Sequence, residues 1–134
     1  MKQEWSGKWV SSRQPRKQRK YVYNAPLHVK RRLLSARLSK DLTARFKKRS
    51  VAVRTGDMVM IMRGEHKGHK GKVEEVNVRE TKVYVEGLNV KKVDGSNVLR
   101  PIHPSNLRII ELKLEDKMRA KMLSRKPASK AGEK

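Results

Sequence analysis

Residues 57–73 read DMVMIMRGEHKGHKGKV, and their spacing constrains the architecture more than any other part of the chain. Val59 and Ile61 alternate with their neighbours, a pattern typical of a β-strand with one buried face. A basic loop with three glycines follows, and the alternation then resumes. Gly64 and Gly71 are predicted to take positive φ at the two ends of the loop. We therefore predict a β-hairpin closed by this loop.

The loop gathers cations at one end of the hairpin: Arg63, Lys67, Lys70 and Lys72. Gly68 lies among them and has no side chain, so the backbone there is predicted to approach a phosphate or a base closely. An ordinary glycine-rich hairpin is the alternative for the loop taken alone. His66 and His69 are three residues apart, but a metal site needs more ligands than these two. We expect no metal, and expect hydrogen bonding or solvation for both rings.

Short apolar runs continue outward from the hairpin and predict a small β-barrel. The predicted strands are Met58–Arg63, Lys72–Val78, Lys82–Val90, Asn97–Ile102 and Asn106–Leu112. The step from Val73 to Val76 breaks the alternation and predicts a β-bulge. Asp94-Gly95 is a strong hairpin-turn signal between two of the runs.

The charge of the chain predicts a polyanionic partner. Its 134 residues include 35 Lys and Arg against 13 Asp and Glu, a net charge of +22. Residues 1–56 carry +15, residues 57–112 only +2 and residues 113–134 the other +5. Such a charge repels itself until an anion such as nucleic acid neutralises it.

The absence of Cys excludes disulfides and thiolate metal sites. The longest apolar run has five residues, far short of the roughly 20 of a membrane span.

The flanking segments are predicted to be basic and mostly helical. Residues 1–24 form a basic arm that we expect to be irregular when unbound, because its charge is dense and its apolar content low. Two short helices follow, at Pro26–Ala36 and, capped by Ser39, at Lys40–Lys48. We assign residues 25–50 to these helices, 51–112 to the barrel and 113–134 to a C-terminal helix and tail. In that last helix, Met118 and Met122 are expected to pack inward.

The spacing of residues 57–73 resembles the KOW motif, which occurs in SH3-like barrels of ribosomal and transcription-elongation proteins. Other segments resemble, in order, one KOW-domain family: large-subunit ribosomal proteins counted as number twenty-four in archaea and number twenty-six in eukaryotes. They are Gln18-Arg19-Lys20, Ala25-Pro26-Leu27-His28, Leu38-Ser39-x-Asp41-Leu42, Val51-x-Val53-Arg54-x-Gly56-Asp57, Asp94-Gly95 and Pro101-Ile102-His103-Pro104-Ser105-Asn106. The resemblance covers roughly residues 13–125, and residues 1–10 depart from it.

The resemblance implies a mainly β fold and a structural role in the ribosome. It implies direct binding to large-subunit rRNA near its 5′ end, a part in initiating subunit assembly, and a place near the exit of the nascent-chain tunnel. The implied partners are rRNA and neighbouring large-subunit proteins in cytoplasmic ribosomes, with no membrane, cofactor or small-molecule substrate. No nucleophile–base spacing indicates an enzyme. The alternative is a KOW-type transcription-elongation factor, which normally has a larger folded domain before its KOW unit.

Charge density and the motif together define the candidate RNA-binding residues. They are Arg13, Arg16, Lys17, Arg19, Lys20, Tyr21, His28, Lys30, Arg31, Arg32, Lys47, Lys48, Arg49, Arg54, Arg63, Gly64, Lys67, Gly68, His69, Lys70, Gly71, Lys72, Lys91 and Lys92. Tyr21 and Tyr23 alternate within the arm, where two roles are open for them. They either stack on unpaired bases or pack the arm onto the barrel.

Overall fold

The computed structural model describes residues 5–9 and 12–125. In chain order the elements are α1 (Pro15–Asn24), α2 (Leu27–Leu33), β1 (Ser35–Leu38), α3 (Lys40–Phe46), β2 (Ser50–Ala52), β3 (Met58–Ile61), β4 (Lys70–Asn77), β5 (Lys82–Lys91), β6 (Asn97–Ile102), a 3-10 turn (Pro104–Asn106), β7 (Leu107–Glu111) and α4 (Lys117–Ser124).

The seven strands form one sheet in the order β2-β1-β7-β3-β4-β5-β6. Neighbouring strands are antiparallel except β1 and β7, which are parallel. The register shifts between Val73 and Glu75 and again between Tyr84 and Asn89. Such irregularities bend and twist a sheet, and the bent sheet fits a small SH3-like fold. The predicted mainly β fold class is confirmed, as is the predicted bulge after Val73.

The hydrophobic core lies on the inner face of the sheet. Val59 and Ile61 of β3 point into it, while Met58 and Met60, which alternate with them, are half-buried on the other face. Burying one such side chain contributes roughly 1.5–3 kcal/mol. The buried cluster comprises Leu34, Ala36, Leu38, Val51, Val53, Val59, Ile61, Val73, Val83, Val85, Leu88, Leu107, Ile109 and Leu123.

The predicted helix Pro26–Ala36 is wrong at its C-terminal end. Helix α2 stops at Leu33, and β1 begins at Ser35. Leu34 and Leu38 share a face in either geometry, because residues four apart lie together on a helix and on a strand. Tertiary pairing decides between the two, since β1 is hydrogen-bonded to β2 on one side and to β7 on the other. Neither β1 nor β2 was expected from the sequence.

The basic arm is helical between Pro15 and Asn24, which corrects the expectation of an irregular segment. Pro15 takes the first helical position, where its missing N–H costs nothing. The Lys, Arg and Gln residues that follow are good helix formers. Close to the end of the helix, Tyr21 packs on two tryptophans of the preceding segment. The prediction of an irregular arm was based on charge density and low apolar content. It did not take into account the helix propensity of these residues or the aromatic contacts of Tyr21.

Helix α3 confirms its predicted cap, and α4 corrects a predicted packing face. The backbone N–H of Leu42 donates to Ser39 Oγ at 3.3 Å, as an N-cap requires.

In α4, however, Met118 is 69% exposed and Met122 38% exposed. The buried residues of α4 are Arg119 and Leu123, which lie on a different face of the helix.

A buried ion pair holds α4 to the sheet. Both guanidinium ends of Arg119 donate to the carboxylate of Asp57 at 2.6 Å, and both side chains are nearly inaccessible. Arg119 also donates to the carbonyls of Lys113 and Ala52 at 3.0 and 3.1 Å. The carboxylate accepts two further bonds, from the N–H groups of Arg54 and Lys113. Asp57 therefore joins the start of β3, the end of β7 and α4.

Candidate nucleic-acid interface

The loop between β3 and β4 is a tight, backbone-bonded structure. The N–H of Gly68 donates to the carbonyl of Ile61 at 2.8 Å, and the N–H of Ile61 donates to the carbonyl of His69 at 2.9 Å. Within the loop, the N–H of Lys67 donates to the carbonyl of Gly64 at 3.1 Å. Gly64 and Gly68 have φ of 91° and 90°. The loop conformation is therefore determined by the protein itself.

Positive φ was predicted for two of the three loop glycines, and the prediction is confirmed for Gly64 but wrong for Gly71. Gly71 lies in β4 and does not take positive φ; a Cβ there would come within 2.7 Å of Val85 and 2.8 Å of the carbonyl oxygen of Glu86. Gly71 is thus required by close approach of β5. Gly68 needs its positive φ for the turn, although a Cβ there would meet nothing within 4 Å. The positive φ is enough to account for a glycine at position 68, and the close approach of a phosphate or base there stays a prediction.

The cations of this hairpin are exposed, whereas one of its two histidines, His69, contacts a neighbouring strand. Arg63, Lys67, Lys70 and Lys72 are all exposed. His69 is half-buried, and its Nε2 lies 3.1 Å from the carbonyl oxygen of Glu86. That contact fastens the loop to β5. His69 therefore supports the loop, and the lysines and arginine present its charge.

One row of residues across the sheet brings together cations that are distant in sequence. Arg37 of β1 pairs with Arg108 of β7, Arg108 with Met60 of β3, and Met60 with Lys70 of β4. Directly paired residues share a face, so the three cations lie on the outer face. With strands about 4.8 Å apart, the row spans about 14 Å. Arg37 and Arg108 were not among the residues predicted from the sequence. Each alternates with apolar residues along its strand, and this pattern could have indicated that both side chains face outward.

The cations of the arm are exposed on a helix that an aromatic cluster holds. Those on and just before α1 are Arg13, Arg16, Lys17, Arg19 and Lys20. Tyr21 stacks on Trp9 with ring centroids 4.3 Å apart and lies 5.4 Å from Trp5. Tyr21 thus packs within the arm, which neither proposed role had anticipated. Tyr23 is 69% exposed.

Three candidate cations also make intramolecular bonds. Lys30 Nζ donates to the carbonyl of Arg79 at 2.9 Å, and Lys48 Nζ donates to the carbonyl of Met122. Arg54 pairs with Asp116, and this hydrogen bond is the main cause that lowers the pKa of the Asp116 carboxyl. These three side chains help to position α2, α3 and α4.

The remaining candidates lie on exposed surface at helix ends, strand ends and a hairpin tip. They are His28, Arg31, Arg32, Lys47, Arg49, Lys91 and Lys92. The tip that carries Lys91 and Lys92 turns at Asp94 and Gly95, as predicted, and Gly95 has a φ of 86°. Ser96 donates to the carboxylate of Asp94 from both its Oγ and its N–H, which lowers the pKa of Asp94.

A cleft beside the loop contains cations that were not among the candidates. Its volume is about 280 Å³, and Arg63 and Gly64 form one wall. Lys82 and Arg100 also line it. Arg100 is 37 positions from Arg63 in the chain, and Lys82 lies between them. Sequence proximity therefore gave no indication that these residues share a cleft.

Comparison with known proteins identifies the family. A family model described as the ribosomal proteins L26 of eukaryotes and their archaeal counterparts, number twenty-four in the archaeal count, matches residues 12–126. The chain belongs to this family. It is 50% identical over 115 residues to the large ribosomal subunit protein uL24 of Methanospirillum hungatei, covering 86% of this chain and 96% of that protein. It is 48% identical over 114 residues to uL24 of Methanosarcina barkeri, covering 85% of this chain and 98% of that protein.

Membership of this ribosomal family confirms the resemblance seen in the sequence and the prediction that the chain is not an enzyme, because the family consists of structural ribosomal proteins. Within residues 5–9 and 12–125, no group of three or more acidic or histidine side chains could hold a metal ion. Over the same residues, no helix is long and apolar enough to cross a bilayer. Trp5 and Trp9 precede the part of the chain that the family model matches.

Proposed function

We propose that this chain is a structural protein of the large ribosomal subunit that binds the subunit's rRNA directly. The observation that carries the proposal is the exposure of its charge. Of the candidate cations, none is buried, and among the described residues only four ion pairs form. A net charge of +22 that is so little compensated within the molecule requires a polyanion.

Three surfaces supply the contacts in this proposal. The loop between β3 and β4 presents a rigid backbone with cations around it, which suits recognition of RNA shape. The row of Arg37, Arg108 and Lys70 follows a path across the sheet. Helix α1 contributes exposed charge of its own. Phosphate contacts of this kind supply affinity and orientation rather than sequence specificity.

The finer parts of the proposal follow the family. The protein binds near the 5′ end of large-subunit rRNA, takes part in initiating assembly of the subunit, and lies near the exit of the nascent-chain tunnel beside neighbouring ribosomal proteins. It acts in the cytoplasm, within the ribosome. The two uL24 relatives are named as large ribosomal subunit proteins, which supports the place in the large subunit.

Sedimentation and crosslinking together test the proposal. We expect the protein to cosediment with the large subunit and to stay bound through a moderate salt wash. Crosslinking in cells, followed by sequencing of the attached RNA, should recover large-subunit rRNA from its 5′ region. Recovery mainly with RNA polymerase would support the elongation-factor alternative and contradict the proposal, as would recovery of the protein outside ribosomes.

A further inference from the structure

The cleft between the β3–β4 loop and the end of β6 has the size and charge of a site for one nucleotide. Its volume of about 280 Å³ lies just under the roughly 300–1,000 Å³ of small-molecule sites. Three cations line it, Arg63, Lys82 and Arg100, against the single carboxylate of Glu65. Pro101 and Ile102 add apolar surface. A cationic pocket with an apolar wall suits a group that is both anionic and flat.

The arrangement around Arg100 holds one side of its guanidinium and leaves the other side for a ligand. Nη1 donates to Glu65 Oε2 at 3.0 Å and to His66 Nε2 at 3.1 Å. Among the described residues, Nη2 and Nε of Arg100 donate to no protein atom. This ion pair is exposed, so its contribution to folding stability is small. Its effect is to orient a planar donor that matches phosphate geometry.

His103 provides a neutral ring at the edge of the same cleft. Burial, followed by the charge of Lys82, lowers the pKa of the His103 imidazole. Nδ1 accepts the N–H of Ser105 at 3.3 Å and lies 2.8 Å from Ser105 Oγ. In the neutral ring, Nε2 then carries the hydrogen. A neutral imidazole with a fixed orientation is a good surface for a base to stack upon.

The walls of the cleft are joined directly by the backbone. The N–H of Met62, next to the loop, donates to the carbonyl of Asn106 at 2.8 Å. The N–H of Asn106 in turn donates to the carbonyl of His103 at 3.0 Å. The loop and the 3-10 turn are therefore held together before any ligand binds, which lowers the entropic cost of binding.

We propose that this cleft receives one unstacked nucleotide of the bound RNA, with its phosphate held by Arg100 and Arg63 and its base against His103 and Pro101. The inference rests on the proposed rRNA binding and adds a specific subsite to it. A paired base in an A-form helix is stacked between its neighbours, so the nucleotide that enters belongs to a loop or a bulge.

The first test uses the full chain without RNA. Backbone NMR spectra are recorded during titration with adenosine 5′-monophosphate, and separately with adenosine and with inorganic phosphate. We expect shift changes concentrated at Gly64, His66, Ile102 and His103, and nucleotide affinity at least fivefold above that of either half alone. Equal affinity for inorganic phosphate, or equal shifts on α1, would overturn the inference.

Matched variants identify the contribution of the guanidinium. Arg100→Gln should weaken nucleotide binding about tenfold, because it removes a charge-assisted contact. Arg100→Lys keeps the charge but loses the planar donor. It should weaken nucleotide binding about threefold, which on a logarithmic scale is half the effect of Arg100→Gln. Lys117→Gln on α4 removes the same charge away from the cleft and should leave nucleotide affinity unchanged. If Arg100→Gln behaves like Lys117→Gln, the inference is wrong. Thermal melting confirms that each variant folds, and Arg63→Gln serves as a second cleft variant.

The second test separates failure of the subsite from failure of the proposed function. Purified large subunits are irradiated with ultraviolet light, and peptides that carry a crosslinked nucleotide are identified by mass spectrometry. We expect a crosslink within residues 63–66 or 100–106. Cosedimentation without a crosslink at either segment would refute the subsite and leave the proposed function intact. If the chain binds the nucleotide but does not cosediment with the large subunit, the result would support the subsite and refute the ribosomal role.

Discussion

The sheet and the arm of this protein carry similar cations on very different supports. Lys70 and Arg108 project from strands β4 and β7, whose inner-facing residues, such as Val73 and Ile109, are buried. Helix α1 has no buried residue and is held by the stacking of Tyr21 on Trp9. A cation on the sheet is therefore placed by the whole core, whereas a cation on α1 is placed by local helix propensity and a few ring contacts. The comparison predicts that the two regions respond differently to mutation.

The largest effect is expected where the sheet depends on its buried charge. Asp57→Ala should lower the free energy of unfolding by about 3–5 kcal/mol, because it leaves the guanidinium of Arg119 buried and unpaired. Urea unfolding measures the loss. Asp116→Asn, which removes the charge from an exposed pair with Arg54, is the matched control and should cost much less. Similar losses in the two variants would show that burial does not distinguish these pairs.

Deletion of residues 1–24 tests the other side of the comparison. The deletion removes seven cations: Lys2, Lys8, Arg13, Arg16, Lys17, Arg19 and Lys20. If about five of them contact phosphates, the slope of log K against log salt should shrink by roughly 3–4 units on RNA. Filter binding at several salt concentrations measures the slope. The thermal midpoint of the sheet should hardly change, because α1 buries no residue; a large drop would mean that the arm supports the core.

Two glycines of the same hairpin are expected to differ in their effect on stability. Gly71→Ala should destabilise by roughly 2–3 kcal/mol, because its Cβ would collide with Val85 and the backbone of Glu86. Gly68→Ala meets no atom and costs only the positive φ, about 1–2 kcal/mol. Paired thermal melts measure both. A larger loss at Gly68 than at Gly71 would contradict the assignment of close approach to Gly71.

The smallest effect is expected in the arm. Trp9→Ala removes an aromatic stack worth about 0.5–1.5 kcal/mol. The loss should appear as lower helix content by circular dichroism, while the cooperative unfolding of the sheet stays the same. Tyr23→Ala changes an exposed ring on the same helix and serves as the control. Equal loss of helix content in the two variants would assign the effect to propensity alone.

Several elements were predictable because their signals are local. The alternation of Val59 and Ile61, the Asp94-Gly95 turn and the Ser39 cap each depend on a few neighbouring residues, and all three predictions are confirmed. The assignment of Met118 and Met122 to the packed face of α4 failed for a different reason. Hydrophobicity favoured the methionines, but Arg119 is buried because Asp57, far away in the chain, provides its charge partner.

The family, the net charge, the hairpin and the chemical character of its loop could all be predicted from the sequence, since each of these depends on residue type and short-range spacing. The strand at Ser35–Leu38, in contrast, depends on tertiary structure, because residues spaced by four share a face in both geometries and the pairing partners lie in β2 and β7. Tertiary structure also brings Arg37 and Arg108 into a row with Lys70, and places Arg100 in the same cleft as Arg63. Such groupings are set by strand order in the sheet, which brings together side chains that chain spacing keeps apart.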